Sequence, residues 1–200
     1  FSRNCVVSNC RFDSIGGTAC NVTHSTVTYS EDMTGNFTFT NNLVERFSRV
    51  YQHGEGLLIG HCDGAEVSYN TIHDGYYTGI SCGWVWGLGD SPTNNIKVTH
   101  NLIYDIGQGC LSDLGGIYML GQQPGSCLMY NKIYDVSHCT FPKSGWNGLE
   151  SGYGGNGIFL DEGSSYMDVK YNLIYNVTGG AVAKNQAGKD LIVANNIFAF

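Results

Sequence analysis

The chain has few charged residues, few prolines and no cluster of lysine or arginine. Charged side chains make up 14 % of its 200 residues, proline occurs 3 times, and the formal net charge is −7. This scattered, acidic charge argues against a nucleic-acid partner or an anionic membrane surface, because both need a concentrated basic patch. With 28 glycines and few runs of helix-forming residues, the composition instead predicts an all-β chain rich in turns.

Long apolar segments are also missing. No run approaches the roughly 20 apolar residues that span a bilayer, and no charged-then-apolar signal segment opens the chain, which begins at Phe1. We therefore expect no membrane partner. The sequence leaves the compartment open and favours a secreted or extracellular protein whose targeting signal lies outside this stretch.

The eight cysteines contain no CxxC pair, the spacing typical of a zinc or redox site. We therefore expect no metal and no cofactor. Cys5 is close enough in sequence to Cys10 or Cys20 to form a disulfide. Cys82 is expected to be a reduced residue of the core.

One short pattern recurs along the chain. Six segments align on a single asparagine, at Asn42, Asn70, Asn101, Asn131, Asn172 and Asn196. Their spacings, from 24 to 41 residues, indicate a constant frame with variable insertions. Alternating apolar residues flank each asparagine, which predicts two short strands that meet at a bend. We expect each asparagine to adopt the left-handed conformation at that bend and to bond to the equivalent amide one coil away, forming a ladder.

A second apolar run follows the asparagine segments, in GEGLLIG, YTGISCG, LGGIYML, GNGIFLD and GGAVAKN. Two or three strands per repeat indicate a β-solenoid, whose coils stack at about 4.8 Å and bury a continuous interior. Because crossovers between parallel strands are right-handed, we predict one all-β domain over residues 1–200, a right-handed parallel β-helix. The pattern begins and stops within a repeat, so we expect a monomeric fragment of a longer solenoid.

A polar residue that recurs at the same place in every coil is most simply structural, because a substrate contacts only part of the stack. Candidate site residues are therefore those that break the repeat. Asp74, Asp105 and Asp135 recur four residues after ladder asparagines and are predicted to shape turns. Two predicted inward rows contain Leu57, Ile80, Ile117, Ile158 and Ala181, and Ile59, Cys82, Met119, Leu160 and Ala183. The next, outward row contains Gly60, Gly83, Leu120, Asp161 and Lys184. We thus expect Asp161 to face solvent beside Lys184, about 5 Å away, an arrangement that favours the ionised carboxylate.

Three further acids break the repeat. Asp113 precedes a glycine pair, Glu150 lies in a long insertion, and Glu162 follows Asp161 and also fits a cap of the next turn. Aromatic residues cluster nearby, and flat rings combined with carboxylates are typical of sugar-binding grooves. We therefore assign substrate contacts to His61, Tyr77, Trp84, Trp86, Tyr118, Glu150, Glu162 and Lys184.

Three segments, IHDGYYTGISCGWVWG, HNLIYDIGQGCLSDLGGIYMLGQQPG and YGGNGIFLDEGSSYMDVKYNLIYN, resemble right-handed β-helix proteins of glycoside hydrolase family 141. The resemblance covers residues 53–200, with an insertion at about 138–155, and residues 1–52 match weakly. It implies an enzyme that acts on polysaccharides or oligosaccharides such as fucosylated pectin side chains or xylan. The catalytic pair that it implies is Asp113 in SDLGG and Asp161 in LDEGSS.

Glycoside hydrolysis needs one protonated and one ionised carboxyl group. The apolar neighbours of Asp113 are expected to raise its pKa and make it the acid, whereas Asp161 supplies the ionised group. Straight strands would leave the two about 23 Å apart, so a bend at Gly115 and Gly116 is required. Without that bend, Glu150 or Glu162 becomes the better partner.

Two other hypotheses stay open. A polysaccharide lyase would use a base such as Lys184 or His61, and would need a calcium site or an arginine to neutralise a uronate. A non-catalytic solenoid would bind glycans or separate domains. Hydrolysis of a glycosidic bond is the preferred prediction, because the repeats contain few basic residues.

Overall fold

The computed structural model describes residues 2–23, 33–142, 149–186 and 188–199, apart from the side chains of residues 141, 142 and 149–151. Strands, bridges and turns account for the regular structure of these ranges, in which no helix occurs. Accordingly, no helix long and apolar enough to cross a membrane is found in the part of the chain that is described.

Twenty of the strands form three parallel sheets, and all strands are numbered in chain order. Sheet A consists of β1 (Val6–Ser8), β4 (Gly35–Thr40), β7 (Asp63–Ser68), β10 (Asn94–Thr99), β13 (Gln122–Met129), β18 (Ser165–Lys170) and β21 (Leu191–Ala194). Sheet B consists of β2 (Arg11–Asp13), β5 (Leu43–Phe47), β8 (Thr71–Gly75), β11 (Leu102–Ile106), β14 (Lys132–Val136), β19 (Leu173–Val177) and β22 (Ile197–Ala199). Sheet C consists of β3 (Cys20–Thr23), β6 (Leu57–Gly60), β9 (Ile80–Gly83), β12 (Gly115–Leu120), β17 (Asn156–Leu160) and β20 (Val182–Lys184).

Each of the first six coils contributes one strand to each sheet, and the last coil adds β21 to sheet A and β22 to sheet B, which confirms the predicted parallel β-helix. The strand order within every sheet follows the chain, so each coil pairs with the coils before and after it. Interior rows of apolar side chains fill the space between the sheets, and this core is continuous from Phe37 to Ile174. A separate antiparallel hairpin, β15 (Thr140–Pro142) with β16 (Leu149–Ser151), projects from the coil that leads to β17.

The asparagine ladder is confirmed. Each ladder amide donates to the side-chain oxygen of the next one, from Asn42 through to Asn196, at 2.9 to 3.1 Å. The same oxygen accepts the backbone N–H of the preceding ladder asparagine, and each inner amide also donates to a strand carbonyl in the preceding coil, as Asn101 does to Val67. These buried amides therefore satisfy one another as well as the backbone at the corner between sheets A and B.

The left-handed bend lies one residue before the position predicted for it. The residues that precede the ladder asparagines have φ between 53° and 59°: Asn41, Tyr69, His100, Tyr130, Tyr171 and Asn195. The asparagine amide must point inward to join the ladder, so the exposed preceding residue adopts the reversal instead. Four of these residues carry rings that stack on one another, with centroids 4.8, 4.9 and 5.1 Å apart.

The second set of recurring polar residues does shape the backbone as predicted. Asp74, Asp105 and Asp135 have φ of 57°, 53° and 54°. Strand pairing skips these positions, because Tyr104 pairs with His73 and the next pair is Ile106 with Gly75. Their recurrence therefore reflects a kink that every coil of sheet B repeats.

The inward rows of sheet C are confirmed except in the last coil. Ile117 pairs with Ile80 and Ile158, and Met119 pairs with Cys82 and Leu160. In β20, however, Val182 rather than Ala181 lies opposite Ile158, and Lys184 rather than Ala183 lies opposite Leu160. The predicted alignment was one residue out, and a one-residue slip exchanges the two faces of a strand.

All eight cysteines lie within the described residues and are free thiols, so the expected disulfide of Cys5 with Cys10 or Cys20 is absent. Strand β1 separates Cys5 from Cys10, and five extended residues span about 16 Å, beyond the reach of a disulfide. Cys20 lies in a different sheet. Cys82 is fully buried and packs in the interior, as predicted.

Candidate functional site

Asp161 immediately follows β17, and its side chain is buried. Its backbone N–H donates to the Met119 carbonyl at 2.8 Å, which extends the pairing of β12 with β17 by one residue. The expectation that it faces solvent was wrong, because only 6 % of the residue is exposed. The outer face of sheet C is covered here by aromatic side chains, so an outward residue is not a solvated one.

Both carboxylate oxygens of Asp161 accept hydrogen bonds from neutral donors. The Tyr118 hydroxyl donates to Oδ2 from the preceding coil. The Asn185 side-chain amide donates to Oδ1 at 2.7 Å from the following coil. Three successive coils thus each supply one group.

Lys184 is not the neighbour of Asp161 that the sequence predicted. It lies opposite Leu160 and is exposed, and the register slip of β20 brings Asn185 to the position beside Asp161. The Asn185 backbone N–H confirms this register by donating to the Leu160 carbonyl at 2.9 Å. An amide therefore occupies the place expected for an ammonium group.

Asp113 lies in the loop between β11 and β12 and is half-buried. Its φ of 60° makes Asp113 itself the point at which the chain turns, whereas Gly115 and Gly116 already belong to β12. The predicted bend was therefore two residues out. Two contacts hold this turn: the Asp113 N–H donates to the Tyr153 carbonyl at 2.7 Å, and the Tyr77 hydroxyl donates to the Asp113 carbonyl at 2.8 Å.

The charge of Asp161 acts on Asp113. Burial, followed by the negative charge of Asp161, raises the pKa of the Asp113 carboxyl, and a hydrogen bond with Tyr153 opposes that rise. Burial and the hydrogen bond to Asp161, followed by the charge of Asp113, raise the pKa of Tyr118. Asp113 precedes β12 and Asp161 follows β17, so the two residues lie at opposite ends of neighbouring strands, and the charge of Asp161 nevertheless contributes to the raised pKa of Asp113.

Tyr77 and Glu55 extend the same cluster. Burial, then the charge of Asp113, raises the pKa of Tyr77, and Glu55 and Asp161 act in the same direction. Glu55 is itself buried, which raises its pKa, and Thr18 donates to it at 2.8 Å. No motif or break in the repeat marks Glu55 in the sequence.

Aromatic rings form one wall of the site. The Tyr118 ring stacks on Trp84 with centroids 5.9 Å apart and contacts the edge of Phe159 at 5.2 Å. Trp84 in turn meets Trp86 edge-on at 5.5 Å, and Trp86 is 60 % exposed. Trp84 also donates from Nε1 to Ser81 at 3.1 Å, which holds its ring in place.

The segment 84–90, called here the Trp loop, crosses the neighbouring coils towards Asp161. Gly121 and Gly163 both have positive φ, of 82° and 80°. A Cβ on Gly121 would overlap the Val85 carbonyl, and one on Gly163 would overlap that of Gly87. These two glycines therefore let the Trp loop lie directly on the coils that carry Tyr118 and Asp161.

The insertion bounds the other side, at Asp113. The chain that leaves the β15–β16 hairpin contacts this loop at Tyr153, whose side chain is exposed. The side chain of Glu150 lies outside the described residues, so the alternative pairing with Glu150 stays a prediction.

His61 and Glu162 lie beside this cluster. His61 follows β6, and its Nε2 is 3.4 Å from the Trp84 carbonyl. Glu162 is half-buried, and its backbone carbonyl accepts from Gly121 at 3.0 Å. The structure thus brings together Asp113, Asp161, Tyr77, Tyr118 and Trp84, with Trp86, His61 and Glu162 at the edge.

Asn185 was missed, and the reason is local. The run AVAKN consists mainly of small residues, so its alternation does not reveal which face is inward. The described residues also contain no group of three or more His, Cys, Asp or Glu side chains that could hold a metal ion.

Residues 31–199 match the family model described as a right handed beta helix region. The chain therefore belongs to the right-handed β-helix family. A solved structure named "Glycoside hydrolase" has a similar fold, with a TM-score of 0.72 and 21 % sequence identity, over 96 % of this chain and 32 % of that chain. This chain thus spans about a third of that protein, and at this identity the likeness concerns the fold. No curated protein matches the chain.

Proposed function

We propose that the chain hydrolyses a glycosidic bond in a polysaccharide or oligosaccharide, as the resemblance to glycoside hydrolase family 141 implies. The observation that carries this proposal is the pair formed by Asp113 and Asp161. One carboxyl group is pushed towards its protonated form by burial and by the other's charge, and the other accepts two hydrogen bonds. A pair of carboxyl groups, one protonated and one ionised, is what glycosidases use.

In this mechanism Asp113 is the general acid. Its proton passes to the glycosidic oxygen as the bond from that oxygen to the anomeric carbon breaks, so the leaving sugar departs as a neutral alcohol. The ionised Asp161 stabilises the positive charge that develops on the sugar ring and acts as nucleophile or as base towards water. Trp84 and the exposed Trp86 provide flat apolar surfaces for the sugar rings, whereas Tyr118 is buried.

The two carboxyl groups are tested by replacing each with asparagine. Asp113→Asn and Asp161→Asn keep the side-chain size but remove the proton chemistry, so we expect kcat to fall by on the order of a thousandfold or more while the fold persists. The chain is incubated with xylan and with fucosylated pectin fragments, and new reducing ends are counted. Circular dichroism verifies that each variant is folded.

Lys184→Met is the matched control. Lys184 is exposed and lies opposite Leu160, so a hydrolase that uses the two aspartates should keep its turnover in this variant. Unsaturated products, seen by ultraviolet absorbance, together with loss of activity in Lys184→Met, would establish a lyase instead. Retention of full activity in Asp161→Asn would refute the assignment of that residue, and glycan binding without any cleavage would refute the enzymatic function.

A further inference from the structure

We propose that Tyr118 and Asn185 are positioning residues, which hold the Asp161 carboxylate between two neutral donors so that its negative charge acts on Asp113. This inference rests on the proposed function and deepens it, because it states how the site keeps its two acids in different protonation states. It also assigns a role to Asn185, which comes from the last coil of sheet C.

The Tyr118 side chain is held rigidly enough to orient its partner. The ring lies between Trp84 and Phe159, and only 4 % of the residue is exposed. Its hydroxyl donates to Asp161 Oδ2, while its strand neighbours, Ile117 and Met119, face the core. A buried phenol with a fixed ring can move its oxygen very little, so it determines the orientation of the carboxylate that it binds.

Asn185 completes this arrangement from the opposite side. Its backbone N–H continues the pairing of β20 with β17, and its amide reaches Asp161 Oδ1 at 2.7 Å. Neither donor carries a charge. Within the described residues no Lys or Arg forms an ion pair with Asp161, and Lys184 is paired with Leu160 rather than with Asp161. The carboxylate is therefore bound without being neutralised.

An unneutralised Asp161 has a direct effect on Asp113. Among the described residues, the titratable groups that interact electrostatically with Asp113 are Asp161, Tyr153 from the insertion, Tyr77 from the loop before β9 and Tyr118 on β12. Of these, Asp161 is the one whose charge raises the pKa of Asp113. A cation at the position of Asn185 would cancel that charge and favour ionisation of Asp113, which would remove the proton that the acid donates.

Tyr118→Phe tests the orienting role. The ring packing is kept and only the hydroxyl is lost, so we expect KM to change little and kcat to fall on the order of ten- to hundredfold, the effect of a lost hydrogen bond to a charged group. Tyr175→Phe, which removes a hydroxyl from the ring stack of sheet B, is the matched control and should keep the wild-type kcat. An unchanged kcat in Tyr118→Phe would overturn the orienting role.

Asn185→Lys tests the electrostatic role. The new ammonium should lower the pKa of Asp113, so the alkaline limb of the pH–activity profile should move to lower pH by on the order of one unit. The same shift should appear in the carboxyl carbon resonance of Asp113, followed by NMR and assigned with Asp113→Asn. That titration needs no substrate. If the wild-type chain cleaves no glycoside, the proposed function fails, and an unchanged Asp113 titration in Asn185→Lys overturns the present inference separately.

Discussion

At the scale of single residues, the site depends on the different surroundings of two chemically identical carboxyl groups. Asp113 and Asp161 are both aspartates, yet the buried Asp161 accepts donors on both oxygens, whereas the half-buried Asp113 is subject to the negative charge of Asp161. A carboxyl group in low-dielectric surroundings near a like charge retains its proton to higher pH. The difference between the two residues therefore arises from their surroundings in the folded chain.

Tyr153 provides a test of this balance. Its hydrogen bond favours the ionised form of Asp113 and so lowers the pKa of that carboxyl. Removing the hydroxyl in Tyr153→Phe should raise the pKa of Asp113, and the alkaline limb of the pH–activity profile should move to higher pH by about a few tenths of a unit. Tyr171→Phe, outside the site, serves as the control. A shift to lower pH would contradict this assignment.

At the scale of structural elements, the corner between sheets A and B combines two stacked rows with different tasks. The buried ladder asparagines satisfy backbone groups, and the residues before them adopt the left-handed conformation. Stacked rings of Tyr69, His100, Tyr130 and Tyr171 cover these strained positions. Each coil therefore stabilises the corner of its neighbours as well as its own.

The ladder should make a large contribution to stability. Asn101→Ala would leave the backbone N–H and the amide of Asn70 without their acceptor in a buried site. We expect the free energy of unfolding to fall by on the order of 3 kcal/mol, measured by urea denaturation. The exposed Asn21, replaced by alanine on β3, should change it by less than about 0.5 kcal/mol. Equal unfolding midpoints for the two variants would refute the ladder's role.

At the scale of the whole molecule, the coils form one continuous interior. Apolar residues from all three sheets belong to a single cluster, and no coil could bury its inner face alone. Residues in the middle of this interior therefore become accessible only when neighbouring coils separate.

Cys82 reports on that separation. Its side chain is fully buried, and burial raises the pKa of the thiol, so both access and reactivity are low in the native state. We expect a thiol reagent to modify the exposed Cys5 and Cys10 at once, and Cys82 at a rate that follows global unfolding. Peptide mapping by mass spectrometry measures each site. Rapid modification of native Cys82 would show that the coils open locally.

The sequence alone determined the architecture of this protein. The period of a parallel β-helix is visible in its sequence, because each coil must place its inward apolar residues and its ladder asparagine at equivalent positions. The ladder from Asn42 to Asn196, the interior position of Cys82 and the kinks at Asp74, Asp105 and Asp135 all follow from that recurrence.

Only the tertiary structure decided the details of the site. The turn at Asp113 depends on contacts from Tyr77 and Tyr153, which are distant in sequence, so no local sequence pattern predicts it. Asn185, rather than the predicted Lys184, lies beside Asp161, and this difference is a shift of one residue in the register of a run of small side chains. Small residues fit either face of a strand, so their register is set by pairing with β17, which exists only in the folded solenoid.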